Sequence, residues 1–341
     1  MKTTINFDPK GIPLTMRFST NITIILVIFI TSILGIEKVK AQNYVLNYSV
    51  LNLHPQSLVY YPATKKFIVS SSGQGQLGYI DDNGKYKLLI KHTLLTGASR
   101  MRIRGNYLYV LTSDSNPSQP LKPTQSHLVK VNLKNRTIVS DTPFGKLQTS
   151  SFDANTDLAI DDVGAIYIID DRAAVVHKIK PDGTNTVLLA NKLLSKATSI
   201  IFHKNGYLLV AIDSDLYKIN LSDNNFTRVF IEEGFDEINS IHFSPNHLLI
   251  LAEGGDENKV HILNSSNSWA SGNLLRTETW SYINPNSIEY VNNKIYVLDS
   301  HIQSSPDSTV KSEKFSVHVT DLKKRLKVKG GKWTVTVGEL E

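Results

Sequence analysis

Residues 157–183 read DLAIDDVGAIYIIDDRAAVVHKIKPDG. Two apolar runs, DLAID and IYIIDD, flank Gly164, and a third, VHKIK from Val176, precedes Pro181-Asp182-Gly183. Short apolar runs punctuated by Gly, Pro and Asp read as successive strands joined by tight turns. The third run alternates apolar and polar with period two, as a half-buried strand does.

The same unit recurs along the chain. Its first run appears as SLVYY from Ser57, RMRIR from Arg100, DLAID from Asp157, SIIFH from Ser199, SIHFS from Ser240 and SIEYV from Ser287. The offsets between these starts are 43, 57, 42, 41 and 47 residues. A period of about 40–45 residues is that of one four-stranded propeller blade. A second run follows each first run: KFIVSS, YLYVLTSD, IYIIDD, LLVAIDS, LLILAEG and IYVLDSH. Breakers such as Pro62, Gly105-Asn106, Asn205-Gly206 and Asn292-Asn293 stand between them, a hairpin signal. The third run recurs as LGYID, LVKVN, VHKIK, LYKIN, VHILN and SVHVT. A more polar fourth run, YKLLI, TIVSD, NTVLL, FTRVF or LLRTE, closes five of the repeats. The reading is an all-β chain forming a six-bladed β-propeller of four-stranded blades, with strands A to D in each. The sixth repeat lacks its own D strand. Either YVLNYSVL from Tyr44 or KWTVTVGEL from Lys332 can supply it. YVLNYSVL is preferred, because an amino-terminal strand in the last blade closes the ring and removes an open edge. The carboxyl segment then packs outside or extends a blade.

Composition agrees with one large globular domain over residues 42–341. Of 341 residues, 41% are hydrophobic and 20% charged, the balance of a chain with a real core. There is no cysteine, which excludes disulfides, thiolate metal sites and a cysteine nucleophile. The net charge of +6 gathers in Arg100, Arg102 and Arg104 and in Lys323, Lys324, Arg325, Lys327 and Lys329. No stacking-aromatic and basic module accompanies it, so no nucleic-acid partner is read. Arg17 precedes the apolar run ITIILVIFITSIL from Ile22 to Leu34. That length suits a signal-peptide core rather than a spanning helix. Val39-Lys40-Ala41 then places small or β-branched residues where a signal peptidase reads. Residues 1–41 are therefore read as a signal peptide, and the mature chain as secreted or periplasmic, monomeric and without membrane insertion.

Topology suggests where a site would lie. In a propeller the A strands line the axis, and the D–A and B–C connections share one face. A-strand starts bring Gln56, Arg100, Asp157, Thr198, Asn239 and Asn286 to that face, and B-strand ends bring Asp114, Asp170, Asp213, Glu253, Asp299 and His301. Asp and Asn oxygens converging on one axis can hold a hard cation such as Ca²⁺ or Mg²⁺; the same residue types also cap turns. The long B–C loops at residues 113–126 and 300–314 should overhang the same mouth. Gln56, Arg100, Thr198, Asp299 and His301 are candidate ligand-binding residues. His177, His261 and His318 sit in C strands and read as structural. Trp269, Trp280 and Trp333 read as packing residues before sugar platforms.

DLAIDDVGAIYIIDD with VVHKIKPDG, and HPQSLVYYPATKKFIVSSSGQGQLGYIDDNG from His54, resemble blades of the gluconolactonase/regucalcin-type propellers and their NHL-repeat relatives. The resemblance covers roughly residues 50–321. It implies one divalent cation in the channel, held by a first-blade Glu, by Asn residues and by a later Asp. The metal would polarise a lactone or ester carbonyl, with the Asp as base. Carried over, the resemblance makes Asp157 the catalytic residue and Asp157, Asn239 and Asn286 the metal ligands. Gln56 stands at the position of the Glu, Thr156 at that of the Asn before Asp157, and Thr198-Ser199 where Asn-Gly would be expected. Three functions follow. The protein is an exported propeller binding a small molecule or a protein partner at the channel mouth, a divalent-metal hydrolase of lactones or esters, or a scaffold for a cell-envelope assembly. The export reading predicts that the chain recovered from the medium or periplasm begins at Gln42. Intact-mass measurement checks this, and a membrane-retained chain with an intact amino terminus would refute it.

Overall fold

The computed structural model describes residues 43–50, 53–113, 124–148, 157–255, 258–280, 285–300, 313–322, 327–329 and 332–334. Among them are six antiparallel four-stranded sheets arranged as the blades of a propeller, and no α-helix. Blade 1 runs Leu58–Tyr61, Lys66–Ser70, Gln76–Ile80 and Tyr86–Lys91. Blade 3 runs Leu158–Ile160, Ile166–Asp170, Val175–Ile179 and Asn185–Ala190. Blades 2, 4 and 5 begin with inner strands Arg100–Arg104, Ala197–His203 and Glu237–Phe243, and each is completed in chain order.

Blade 6 is the exception. Its strands Pro285–Val291, Lys294–Asp299 and Glu313–Asp321 are completed by Asn43–Val50 from the other end of the chain. The register runs from Asn43 opposite Thr320 to Val50 opposite Glu313, so YVLNYSVL closes the ring. The strand is held by more than its ladder. Tyr48 is buried, its ring stacks on Phe315 at 4.9 Å, and its hydroxyl donates to the Asp81 carbonyl of blade 1 at 2.8 Å. The carboxyl segment behaves differently from the expectation of a blade extension: Lys327–Lys329 pairs with Lys332–Thr334 in a two-stranded sheet of its own.

The hydrophobic core is divided into six clusters, one at each seam between blades. Val59 and Ile68 of blade 1 meet Met101 and Leu108 of blade 2. Leu111 of blade 2 meets Leu158 and Ile168 of blade 3, and Tyr167 and Ile169 of blade 3 meet Ile200 and Leu208 of blade 4. The series continues through Leu209 with Ile241 and through Ile250 with Ile288. It ends where Leu298 and Phe315 of blade 6 meet Leu58 and Val69 of blade 1. Each B strand thus buries both faces, which is why its run is continuously apolar instead of alternating. Trp269 and Trp280 are buried as packing residues.

Two 3-10 turns, Thr93–Leu95 and Lys192–Lys196, lead into the inner strands of blades 2 and 4. His92 Nδ1 and the Asn191 side chain accept the Leu94 and Leu193 amides at their starts, at 3.1 and 3.0 Å.

Tyr48→Ala should cost about 3–5 kcal/mol, the range for deleting a large buried aromatic side chain. Denaturant unfolding checks this. A loss below about 1 kcal/mol would show that closure does not depend on the Tyr48 anchor.

Candidate functional site

Four of the six inner strands share one recurrent contact. The first letter of the template, a Ser or Asp in these four, offers a side-chain oxygen to a backbone N–H in the inner strand of the next blade. Ser57 Oγ accepts Met101 N at 3.1 Å, Asp157 Oδ2 accepts Ile200 N at 3.1 Å, and Ser199 Oγ accepts Ile241 N at 3.2 Å. Ser287 Oγ accepts Leu58 N at 3.2 Å and so joins the last blade to the first. The second letters, Leu58, Met101, Leu158, Ile200, Ile241 and Ile288, are all buried in the seams.

One residue before the first letter lies the mouth. Thr198, Asn239 and Asn286 each fall at a register shift in their inner strand. A bulge takes a residue out of the ladder and re-aims its side chain. Asn286 Nδ2 donates to Gln56 Oε1 at 3.2 Å and to Ser300 Oγ at 2.8 Å. Arg100 Nη1 donates to the Gln56 carbonyl at 3.1 Å. Gln56, Arg100 and Asn286 are therefore brought together where blades 6, 1 and 2 meet. Thr198 is buried, and its hydroxyl donates to the Ile238 carbonyl. Asn239 packs on Gly254: a Cβ there would lie 2.7 Å from its amide nitrogen and would displace the side chain. Asp299 is fully buried, with its carboxylate 3.6 Å from His318 Nε2. His301, Asp114, Thr156 and most of the two long B–C loops lie outside the described residues.

Asp157, to which the resemblance assigns catalysis and a cation, braces neighbouring strands. It is 1% exposed. Its Oδ1 accepts the Leu158 amide at 2.8 Å. Its Oδ2 takes Ser199 Oγ at 2.7 Å, the Ile200 amide at 3.1 Å and Arg102 Nη2 at 3.1 Å. Three donors saturate Oδ2, and Oδ1 receives one. Asn239 and Asn286 are not among its partners, and the Asn286 amide donates its hydrogens to Gln56 and Ser300. Among the described residues, no group of three His, Cys, Asp or Glu gathers as a metal site.

The third letters of the six templates were not singled out from the sequence. They are Val59, Arg102, Ala159, Ile201, His242 and Glu289. Three are apolar and packed into seams. The other three stay partly exposed to solvent, as side chains on the axis of a ring do. Protein surrounds them densely enough for desolvation to set their chemistry. Burial pushes Glu289 up to about 7, against the opposing charge of Arg102 and a hydrogen bond from the Tyr60 backbone. Burial, helped by Arg102, pushes His242 down to about 3. Burial also lowers Arg100, with Arg102 adding to the effect and Asp157 opposing it. The signal was present as a charged or apolar letter in the third place of an otherwise uniform repeat.

A second recurrence joins the B and C strands. An acid at the end of B meets a His on C in three blades: Asp170 with His177 at 3.6 Å, Glu253 with His261 in closer contact, and Asp299 with His318. An aromatic ring flanks each imidazole: Phe144, Phe235 and Trp280 respectively. Glu253 also accepts the Asp236 amide from the D–A connection. These pairs staple connections to blades, in keeping with the structural reading of the three histidines.

No family model and no curated protein matches the sequence. Solved structures do. The allergen Mala s 1 of Malassezia sympodialis aligns with a TM-score of 0.60 at 13% identity, over 80% of this chain and 95% of that one. A structural-genomics protein assigned as a gluconolactonase aligns at 0.55 and 15% identity, over 85% and 96%. Virginiamycin B lyase from Staphylococcus aureus aligns at 0.53 and 12% identity, over 81% and 99%. The shared feature is the propeller. At these identities the likeness extends to the fold, and the residues above carry the chemistry.

Asp157→Ala should cost about 3–5 kcal/mol, because it leaves Arg102 without its carboxylate and cuts the contact between blades 3 and 4. In the Asp157→Ala/Arg102→Ala pair the losses should be less than additive. Chemical denaturation of the four proteins of the cycle tests this, and full additivity would refute the coupling.

Proposed function

We propose that the protein is an exported binding propeller that takes a small polar molecule at the mouth of its channel, without metal-dependent hydrolysis. The observation that carries this reading is the division of labour at the channel entrance. The one carboxylate the resemblance assigns to catalysis, Asp157, is spent on Arg102, Ser199 and the inner strands of blades 3 and 4. What remains towards the mouth is a set of uncharged hydrogen-bonding groups on bulged strands, Asn239 and Asn286, beside Gln56 and Ser300. Amides and hydroxyls both donate and accept, which suits a hydroxylated or carbonyl-bearing ligand. The fixed bulges pre-organise them.

The hydrolase alternative would require Asp157 to give up donors from two neighbouring strands before it could meet a cation. A carboxylate with four donors gains little from that exchange. An envelope or extracellular protein partner would use the same mouth. The small molecule is favoured because the polar groups sit on inner strands at the axis.

Titration calorimetry with Ca²⁺ and Mg²⁺, elemental analysis of the purified protein, and assays with lactones and aryl esters test this reading. No stoichiometric dication and no turnover above buffer are expected. A bound dication together with turnover that Asp157→Asn abolishes would replace this proposal with the hydrolase.

A further inference from the structure

The three acid–histidine pairs of blades 3, 5 and 6 allow a comparison within one chain. The strand register gives the residue opposite each histidine on the outermost strand of its blade. It is Val187 opposite His177, Val45 opposite His318 and Thr277 opposite His261. All three outer positions are exposed. Blades 3 and 6 thus hold the pair behind an exposed valine, so the packing of this row does not require a hydroxyl. Blade 5 nevertheless has one, and it is engaged: Thr277 Oγ1 lies 3.0 Å from His261 Nδ1.

Chemistry fixes the direction of the hydrogen bonds along the blade 5 row. Glu253 is buried, its Oε1 accepts the Asp236 amide, and its Oε2 meets His261 Nε2. A carboxylate only accepts, so the imidazole hydrogen sits on Nε2. Nδ1 keeps its lone pair, and the Thr277 hydroxyl must be the donor. His261 is buried and flanked by the Phe235 ring at 5.1 Å, which holds the imidazole in place. The three groups stand on Leu249–Gly254, Asn258–Asn264 and Asn273–Trp280, strands B, C and D of the blade, and not on loops. A hydroxyl donating to an imidazole that a carboxylate orients from its other side is the arrangement that activates a nucleophile.

We propose that Thr277 is a nucleophile, with His261 as its general base and Glu253 as the positioning residue, and that it takes an apolar acyl group from a thioester. Leu275, exposed on the same strand two residues away, offers the acyl chain an apolar neighbour. In the step, Thr277 Oγ1 bonds to the carbonyl carbon and the bond from that carbon to the leaving sulfur breaks. The Thr277 proton passes through His261 Nδ1 to the thiolate, and nothing is oxidised or reduced. The product is a threonyl ester on the outer face of the blade, a modification of the protein itself. Hydrolysis of such an unactivated ester calls for oxyanion donors, and the one hydrogen bond of Thr277 among the described residues is that to His261. The acyl group therefore stays. The row uses none of Gln56, Asn239, Asn286 and Ser300, so the site is independent of the channel-binding reading.

Diisopropyl fluorophosphate tests the nucleophile, because it traps activated hydroxyls: the Oγ1–P bond forms as the P–F bond breaks and fluoride departs. The folded full-length chain should carry one adduct, placed on Thr277 by peptide mass spectrometry. Chain unfolded in guanidinium should carry none there. Thr277→Val installs the side chain that blades 3 and 6 hold at this position, so it should keep the denaturation midpoint and lose the adduct. His261→Gln should slow labelling about 100-fold or more. Glu253→Gln can donate to Nε2 and so move the imidazole hydrogen onto Nδ1; labelling should slow to a similar extent in protein whose circular dichroism stays native. An S-octanoyl thioester should then transfer one octanoyl group to Thr277, a single equivalent without turnover. No adduct on Thr277 in the folded chain, or labelling of His261→Gln at the wild-type rate, would overturn the nucleophile. Labelling by the fluorophosphate with no transfer from the thioester would overturn the acyl donor. Each result is read at Thr277, so none is confused with the metal and turnover experiments on the channel.

Discussion

The structure depends on a small contact repeated around the axis: a side-chain oxygen at the start of one inner strand holding a backbone N–H of the next. Packing in the seams is apolar and nearly indifferent to sliding, because one aliphatic side chain fills a groove about as well as another. A hydrogen bond of 3.1–3.2 Å is not indifferent. Ser57, Asp157, Ser199 and Ser287 therefore set the height of a blade relative to its neighbour at four of the six seams. Everything that follows at the mouth and in the channel inherits that alignment. Bulged residues reach the mouth, second letters fill the seams, and the third letters divide between seam packing and partly exposed polar side chains.

Asp157 shows how this constraint competes with chemistry. Where three of the other blades use a serine hydroxyl, this one uses a carboxylate, and the carboxylate collects Arg102 and Ser199 as well as the strand amide. Buried charge is tolerable only when so compensated. The compensation takes away the lone pairs a metal or a proton transfer would need. Asn239 and Asn286 escape because bulges lift them out of the ladder. The acid–histidine pairs of blades 3, 5 and 6 act further out, where Glu253 ties a D–A connection to its blade.

The fold was legible in the sequence because each strand announces itself locally, and the period of the repeat adds what no single strand can say. Even the choice of YVLNYSVL as the closing strand followed from the missing D run after SVHVT. The site was legible only in part. Gln56, Arg100 and Asn286 were placed together correctly because strand starts share a face. The bonds that the oxygens of Asp157 make to neighbouring strands were not legible, because a carboxylate that ligates and one that braces a neighbouring strand have the same letter. Arg102, His242 and Glu289 were missed because each is a single polar letter in the third place of its template, Arg102 between two further arginines. Their correspondence appears only when strands 47 to 187 residues apart are superposed in register.

Closure of the ring by residues 43–50 makes the propeller a test of its own completeness. The strand that binds Glu313–Asp321 lies roughly 270 residues earlier in the chain and must wait for its partner. Until then the chain carries two unpaired edges, one on each end of the growing arc, and unpaired edges recruit other strands. A product truncated before Glu313 can build five blades yet never join them. Such a product would remain an open, adhesive arc, recognisable to quality-control proteases by its edge. The latch thus makes the closed ring depend on one long-range strand pairing, a kind of contact that slows folding.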